Sequence, residues 1–234
     1  MLESPEYQHQ IDFLLSALMG KSLLSWVFCG GDYVDEYPDC YEVMYNALPL
    51  TVSNISHKGD IIYITLGEWY IIVRGDGNWV TTYNEDYEYS LYIDTPTTTI
   101  WYHGDPTLVL FTQLRTTLHK TIMSVGPDIM SRDISWNWLN TLKKDKILTV
   151  ANLLSNPIRL SGCGSHIRNE VYLYTKLLPS RKIFTLSNPE LELLHEALRI
   201  VPRLLYNDRM DCVQKYRRYI PTHSKVKTIS QKKI

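Results

Sequence analysis

The chain changes its hydrophobic period once, and that single change limits what it can fold into. From about Ser22 to Leu114 the apolar residues come in short β-branched and aromatic runs: DIIYITL (60–66), WYIIV (69–73), YSLYI (89–93) and TLVLF (107–111). Gly, Asn, Asp and Pro separate them, and GDGN (75–78) reads as a tight turn. Several short strands at this spacing predict an antiparallel sandwich or barrel. After Gly126-Pro127 the apolar residues recur at helical spacing instead.

A helix is expected ahead of the strands. Ser4 reads as its cap and Pro5 suits its first position. Ile11, Leu14, Leu15 and Leu18 recur at helical spacing, and Gly20 is its stop. In the second half helices are expected over Ile134 to Leu142, Ile147 to Leu154 and His166 to Leu177, the last stopped before Pro179. In the next, Ser187 and Glu190 form a capping box with Pro189 in the first turn, and Leu191, Leu194, Leu198 and Val201 are buried. The stretch from Val213 to Ile234 is basic, has few apolar residues, and reads as poorly ordered or as a DNA-tracking arm. No internal repeat is present.

The fold class expected is therefore α+β in two domains. Residues 1–122 make an N-terminal helix and an antiparallel β-sandwich, 123–212 a helical domain, and 213–234 a basic tail.

The net charge of −1 hides a strong segregation. Residues 1–110 carry three basic side chains (Lys21, Lys58, Arg74) against 16 acidic ones, 3 − 16 = −13; the remaining 21 basic and nine acidic ones give 21 − 9 = +12. A one-signed surface attracts partners of the other sign. The basic half could neutralise phosphates, and the acidic half could dock a basic protein. The two halves attracting each other is the plain alternative.

No apolar stretch is long enough for a transmembrane helix, and MLESPEYQHQ lacks a basic stretch followed by an apolar run. Cys29, Cys40, Cys163 and Cys212 form no CxxC pair, so no zinc ribbon or redox motif is written here. Together these features predict an intracellular, membrane-free protein without metal or cofactor. His103, His119, His195 and His223 are not at metal-ligand spacing; the 17 tyrosines and six tryptophans read as packing more than base stacking. Asp32, Asp35, Glu36 and Asp39 read as a solvated loop.

The most specific segment is SGCGSHIRNEVYLYTKLLP (161–179). Gly162 and Gly164 lie in a loop that enters a helix. Such a loop presents successive backbone N–H groups, and the helix start adds partial positive charge; together they suit a phosphate oxygen. Ser165 can donate a further hydrogen bond, and His166 and Arg168 stand in the first turn. An ordinary glycine-bearing helix–helix connection fits the same pattern, and the residues alone do not choose.

This segment resembles the helix-two-turn-helix signature of the formamidopyrimidine-DNA glycosylase / endonuclease VIII (Fpg/Nei) family. That signature runs Gly-x-Gly-Asn, with Glu five residues after the Asn and Pro nine after the Glu. Here Gly162 and Gly164 are followed by Ser165 in the Asn position, with Glu170 and Pro179 at the matching spacings. SVGPDIM (124–130) resembles the family's interdomain linker, FTLSNPELELLHEALRIV its next helix, HKGDIIYITL (57–66) and EWYIIVRGDG (68–77) its paired strands, and MLESPE its Met-Pro-Glu-Gly-Pro-Glu start. The likeness runs in order along nearly the whole chain. It implies a helix-two-turn-helix second domain and DNA as ligand.

The departures bear on chemistry. The family's nucleophile is the amine of an N-terminal Pro, which forms a Schiff base with the sugar; here position 2 is Leu2. Glu3, the family's proton-handling carboxylate, is retained. Where the family's hairpin carries a lysine, the pattern is Lys58-Gly59-Asp60, so a carboxylate replaces an amine and reverses the charge beside a phosphate. FTQLRTT (111–117) resembles the family's Asp-Pro-Arg-Arg-Phe loop; Arg115 stands at the first arginine and Thr117 at the aromatic wedge. GDGN replaces a Met-Ser-Gly wedge loop that fills the gap left by a flipped base. VQKYRRYIPTHSKVKTI matches only the start of the family's finger, without the cysteines of its zinc form.

These changes predict a protein that holds DNA through Arg115, Gly162, Gly164, Ser165, His166 and Arg168 and performs no glycosylase chemistry. Two alternatives stay open. One is a divergent active glycosylase using Lys21, Lys58 or the terminal amine. The other is a structural or protein-interaction component of a DNA-associated assembly.

Overall fold

The computed structural model describes residues 3–104 and 106–208. The basic tail and Leu2 lie outside the described residues.

The first helix, α1 (Ser4–Leu18), carries Tyr7, Ile11, Leu14 and Leu18 on its buried side. Its cap differs from the expected one. Glu3 is the N-cap, its backbone N–H donating to Glu6 Oε2 at 2.7 Å in a capping box, and Ser4 is already helical. The Ser4 hydroxyl is taken by Asp128 (below).

Nine strands follow among the described residues: β1 (Ser22–Leu23), β2 (Ser25–Phe28), β3 (Leu50–Lys58), β4 (Ile61–Leu66), β5 (Trp69–Gly75), β6 (Asn78–Val80), β7 (Tyr89–Asp94), β8 (Thr99–His103) and β9 (Pro106–Thr112). They form two antiparallel sheets, β1-β3-β4-β5-β9 and β2-β7-β8-β6. Ile64 and Ile71 of the first sheet share one core with Trp26, Leu91 and Ile93 of the second, and Trp26 meets Phe111 edge-on at 5.7 Å. This is the expected antiparallel sandwich. The GDGN turn is not a hairpin, because β5 pairs with β9 and β6 with β8. It carries the chain from one sheet to the other, and Gly77 is needed there: a Cβ would lie 2.3 Å from the Tyr102 ring.

Two helices were not legible in the sequence. α2 (Tyr41–Asn46) follows the acidic stretch, whose Asp32, Asp35, Glu36 and Asp39 are all exposed. α3 (Arg115–Met123) occupies part of the stretch read as a loop; it buries only Leu118, so its helical period is faint.

The second half is α4 (Trp136–Thr141), α5 (Val150–Ser155), α6 (Ser165–Thr175) and α7 (Asn188–Asp208). They enclose a separate core that includes Ile129, Leu139, Leu153, Ile167, Val171, Leu194 and Leu198. α6 ends two residues earlier than its apolar pattern suggests, because Lys176 turns left-handed at φ 58° and closes it. The Ser187–Glu190 capping box is present, with Ser187 N–H donating to Glu190 Oε2 at 2.8 Å. α7 then runs on past Pro202. Among the described residues no helix is long and apolar enough to cross a membrane.

α1 joins the halves. It packs against β3 and β6 on one side and α7 on the other. There His9 stacks on Tyr206 with ring centroids 4.4 Å apart, and the Tyr206 hydroxyl donates to Asp12.

Candidate nucleic-acid interface

The start of α1 runs into the loop 161–164, and each shapes the other. Ser4 N–H donates to the Gly162 carbonyl at 3.0 Å. Ser4 Oγ donates to Asp128 Oδ2 at 2.6 Å, and the same oxygen accepts the Gly59 N–H at 2.6 Å. Asp128 Oδ1 accepts the Met130 N–H at 2.7 Å. One buried carboxylate thus ties the first helix, the β3–β4 turn and the segment after Gly126-Pro127. A buried acidic group demands such satisfaction. Ser161, also buried, closes the other side by donating Oγ to the Gly126 carbonyl at 3.0 Å.

The carboxylate of Glu3 sits at the N-terminus of α6. Its Oε1 accepts the His166 N–H at 2.7 Å and the Ile167 N–H at 3.2 Å. Helix starts leave such N–H groups unpaired and favour negative charge. Burial raises the Glu3 carboxyl pKa above its ordinary value, and the two backbone N–H groups oppose that rise without cancelling it.

This corrects part of the sequence reading. The two glycines were expected to open a row of N–H groups to a phosphate. Instead they make room for the chain's own first residues. A Cβ on Gly162 would lie 1.7 Å from Ser4 Oγ, and its φ of +73° disfavours any other residue; a Cβ on Gly164 would lie 2.4 Å from Glu3 Oε1. An internal carboxylate takes two of the N–H groups expected to face DNA. Ser165 and His166 still present exposed side chains, and Arg168, in the same first turn of α6, is half-buried.

Asp60 stands where the resemblance expects a lysine. It is paired: Arg74 Nε donates to Asp60 Oδ2 at 2.6 Å across the β4–β5 pair. The two face Gly162, Cys163 and Gly164 across a pocket of about 110 Å³ between the sandwich and the helical half. Local charge is therefore balanced.

Cys163 lines this pocket, and burial pushes its thiol far up, with Glu3 adding to the rise and Arg168 opposing it. That shift disfavours the thiolate on which a cysteine nucleophile depends. Lys58, the last residue of β3, is half-exposed and makes no ion pair among the described residues. Arg115 opens α3 on the surface, beside Leu114, which is 64% exposed. Among the described residues no hydrogen bond or ion pair joins Arg115 to the 162–168 segment. Asp128 is the residue that sequence reasoning missed, for an aspartate after Gly-Pro carries no signal of a partner 124 positions away. Among the described residues no cluster of His, Cys, Asp and Glu is arranged to hold a metal.

No family model matches the chain. It is 21% identical over 225 residues to an endonuclease 8 of Pectobacterium carotovorum, covering 89% of this chain and 81% of that protein. An Escherichia coli endonuclease 8 is 23% identical over 229 residues, with the same coverage. Among solved structures, the MutM (Fpg) protein of Thermus thermophilus superposes with a TM-score of 0.72 at 17% identity, over 88% of this chain and 76% of that one. Lactococcus lactis Fpg in complex with DNA containing an abasic site gives 0.71 at 16% identity, over 90% and 80%.

Proposed function

We propose, taking as premise that this chain belongs to the formamidopyrimidine-DNA glycosylase / endonuclease VIII family, that it holds the backbone of double-stranded DNA and performs no glycosylase chemistry. The observation that carries this reading is the Asp60–Arg74 pair. At the hairpin where the family presents a lysine, this chain presents an ion pair. A guanidinium is no nucleophile at neutral pH, so the pair offers no amine for a Schiff base. Leu2 in place of proline supports the same conclusion, as does Glu3, whose carboxylate is engaged by α6. DNA holding is supported by the likeness to proteins solved with DNA, by the exposed Ser165 and His166, and by the basic balance of residues 111–234. Contacts of this type read phosphates and carry little base specificity.

Two measurements on the same protein test it. Borohydride treatment with duplex containing an abasic site yields no covalent adduct, while the duplex binds with an affinity that falls steeply with salt. A trapped adduct overturns the inactivity, and salt-independent affinity overturns the backbone grip.

A divergent active enzyme is the second reading, favoured by Lys58, a primary amine without an ion pair among the described residues, two positions from Asp60. It requires an adduct that Lys58→Ala abolishes.

A further inference from the structure

On the outer face of the second sheet, beside the polar row Ser25, Asp94 and Thr99, lies one apolar and aromatic row that among the described residues meets the loop ring of Tyr83. Strand register lines up Val27, Tyr92, Trp101 and Val80 across all four strands. Their in-line neighbours Phe28, Leu91, Tyr102 and Trp79 point into the core, so this row points out. Tyr92 lies 4.8 Å from Trp101 between ring centroids, and Tyr83 from the adjoining loop lies 4.9 Å from it on another side. Tyr83 and Tyr87 are 54% and 51% exposed. A continuous apolar and aromatic row of this kind marks an interaction surface.

Charge identifies the occupant. No Lys or Arg occurs between Lys21 and Lys58, or between Arg74 and Arg115, the two stretches that build this sheet. Glu85, Asp86 and Glu88 stand exposed in the loop that brings Tyr83 and Tyr87 to the face. Phosphates are repelled by such a surface, so these rings are no platform for DNA bases. A guanidinium fits both features, stacking its plane on Trp101 or a tyrosine while its charge faces the carboxylates.

We infer that this face docks an arginine-rich segment of a protein partner, with the Tyr83–Tyr92–Trp101 rings stacking its guanidinium groups. None of its residues is among those proposed to hold DNA, and the inference stands without them.

Fluorescence anisotropy with a short labelled arginine–glycine peptide tests it, with the full chain and a lysine–glycine peptide of equal charge for comparison. Saturable binding of one peptide per chain is expected, tighter for arginine than lysine. Trp101→Ala is expected to weaken it at least about tenfold, which corresponds to about 1.4 kcal/mol. Because Trp101→Ala can perturb the sheet, the exposed triple change Glu85→Gln, Asp86→Asn, Glu88→Gln serves as a second variant and is expected to weaken binding as well. Both variants keep the parent's affinity for duplex DNA. No binding, equal affinity for the two peptides, or affinity untouched by Trp101→Ala overturns the inference. So does a concentration-dependent dimer that Trp101→Ala abolishes while no peptide binds, since the occupant is then a second copy. A comparable loss of DNA affinity in Trp101→Ala overturns it too.

Discussion

Ser4 and Asp128, 124 positions apart, are joined by a hydrogen bond of 2.6 Å in the buried joint between the two halves. The serine stands at the first turn of α1, the aspartate in the linker after Gly126-Pro127. Asp128→Ala leaves the Ser4 hydroxyl and the N–H groups of Gly59 and Met130 without their acceptor. The expected loss is about 3–5 kcal/mol of unfolding free energy in urea, since an orphaned buried donor forfeits its full desolvation term. Asp128→Asn keeps an acceptor and is expected to lose less.

Gly162 and Ser4 form a steric pair. Gly162→Ala is expected to destabilise by at least about 2 kcal/mol, from the positive φ and the 1.7 Å approach to Ser4 Oγ. Ser4→Gly in the same chain removes the clash but not the backbone strain. The double variant is expected to be about 1 kcal/mol more stable than the sum of the single losses, measurable as a coupling in a double-mutant cycle.

Glu3 makes stability depend on pH. Its carboxyl is raised in the folded protein above the ordinary value of 4.5, chiefly by burial. Stability from its proton is complete below that value and is lost as pH rises through the folded-state value. Glu3→Gln has no such proton to lose. Thermal or urea unfolding of the two proteins between about pH 4 and 7 is therefore expected to show the difference moving in favour of Glu3→Gln as pH rises. A difference that moves the other way refutes the assignment.

Arg115 and Arg168 are proposed phosphate contacts on separate elements. Each replacement by Ala is expected to reduce the slope of log binding constant against log salt by about 0.9 and to weaken binding evenly across DNA sequences. Unchanged slopes in both place the grip elsewhere.

The sandwich and the C-terminal helices were legible because burial imposes a period, two in strands and 3.6 in helices. β4, β5, β7 and β9 coincide with the apolar runs, and α7 with its capping box. α3 escaped because one buried residue, Leu118, makes no period. The site was harder to read. Gly162 and Gly164 announce close approach of some group, and sequence does not say which. Ligand and protein carboxylate place the same demand on a helix N-terminus, and only tertiary structure shows that Glu3 occupies it. The Arg74–Asp60 pair was hidden for a related reason. The two residues stand 14 positions apart and meet through strand register that neither encodes alone.

α1 belongs to the sandwich by its apolar stripe, yet the helical half grips it at Glu3 and Ser4 and again along His9 and Asp12. It therefore acts as a brace spanning the joint, fastened at two points along its length. Opening or twisting one half against the other strains both fastenings together. The angle between the halves is thus held by the chain's own contacts at Ser4–Asp128 and Asp12–Tyr206, so any ligand that spans them meets a preformed geometry.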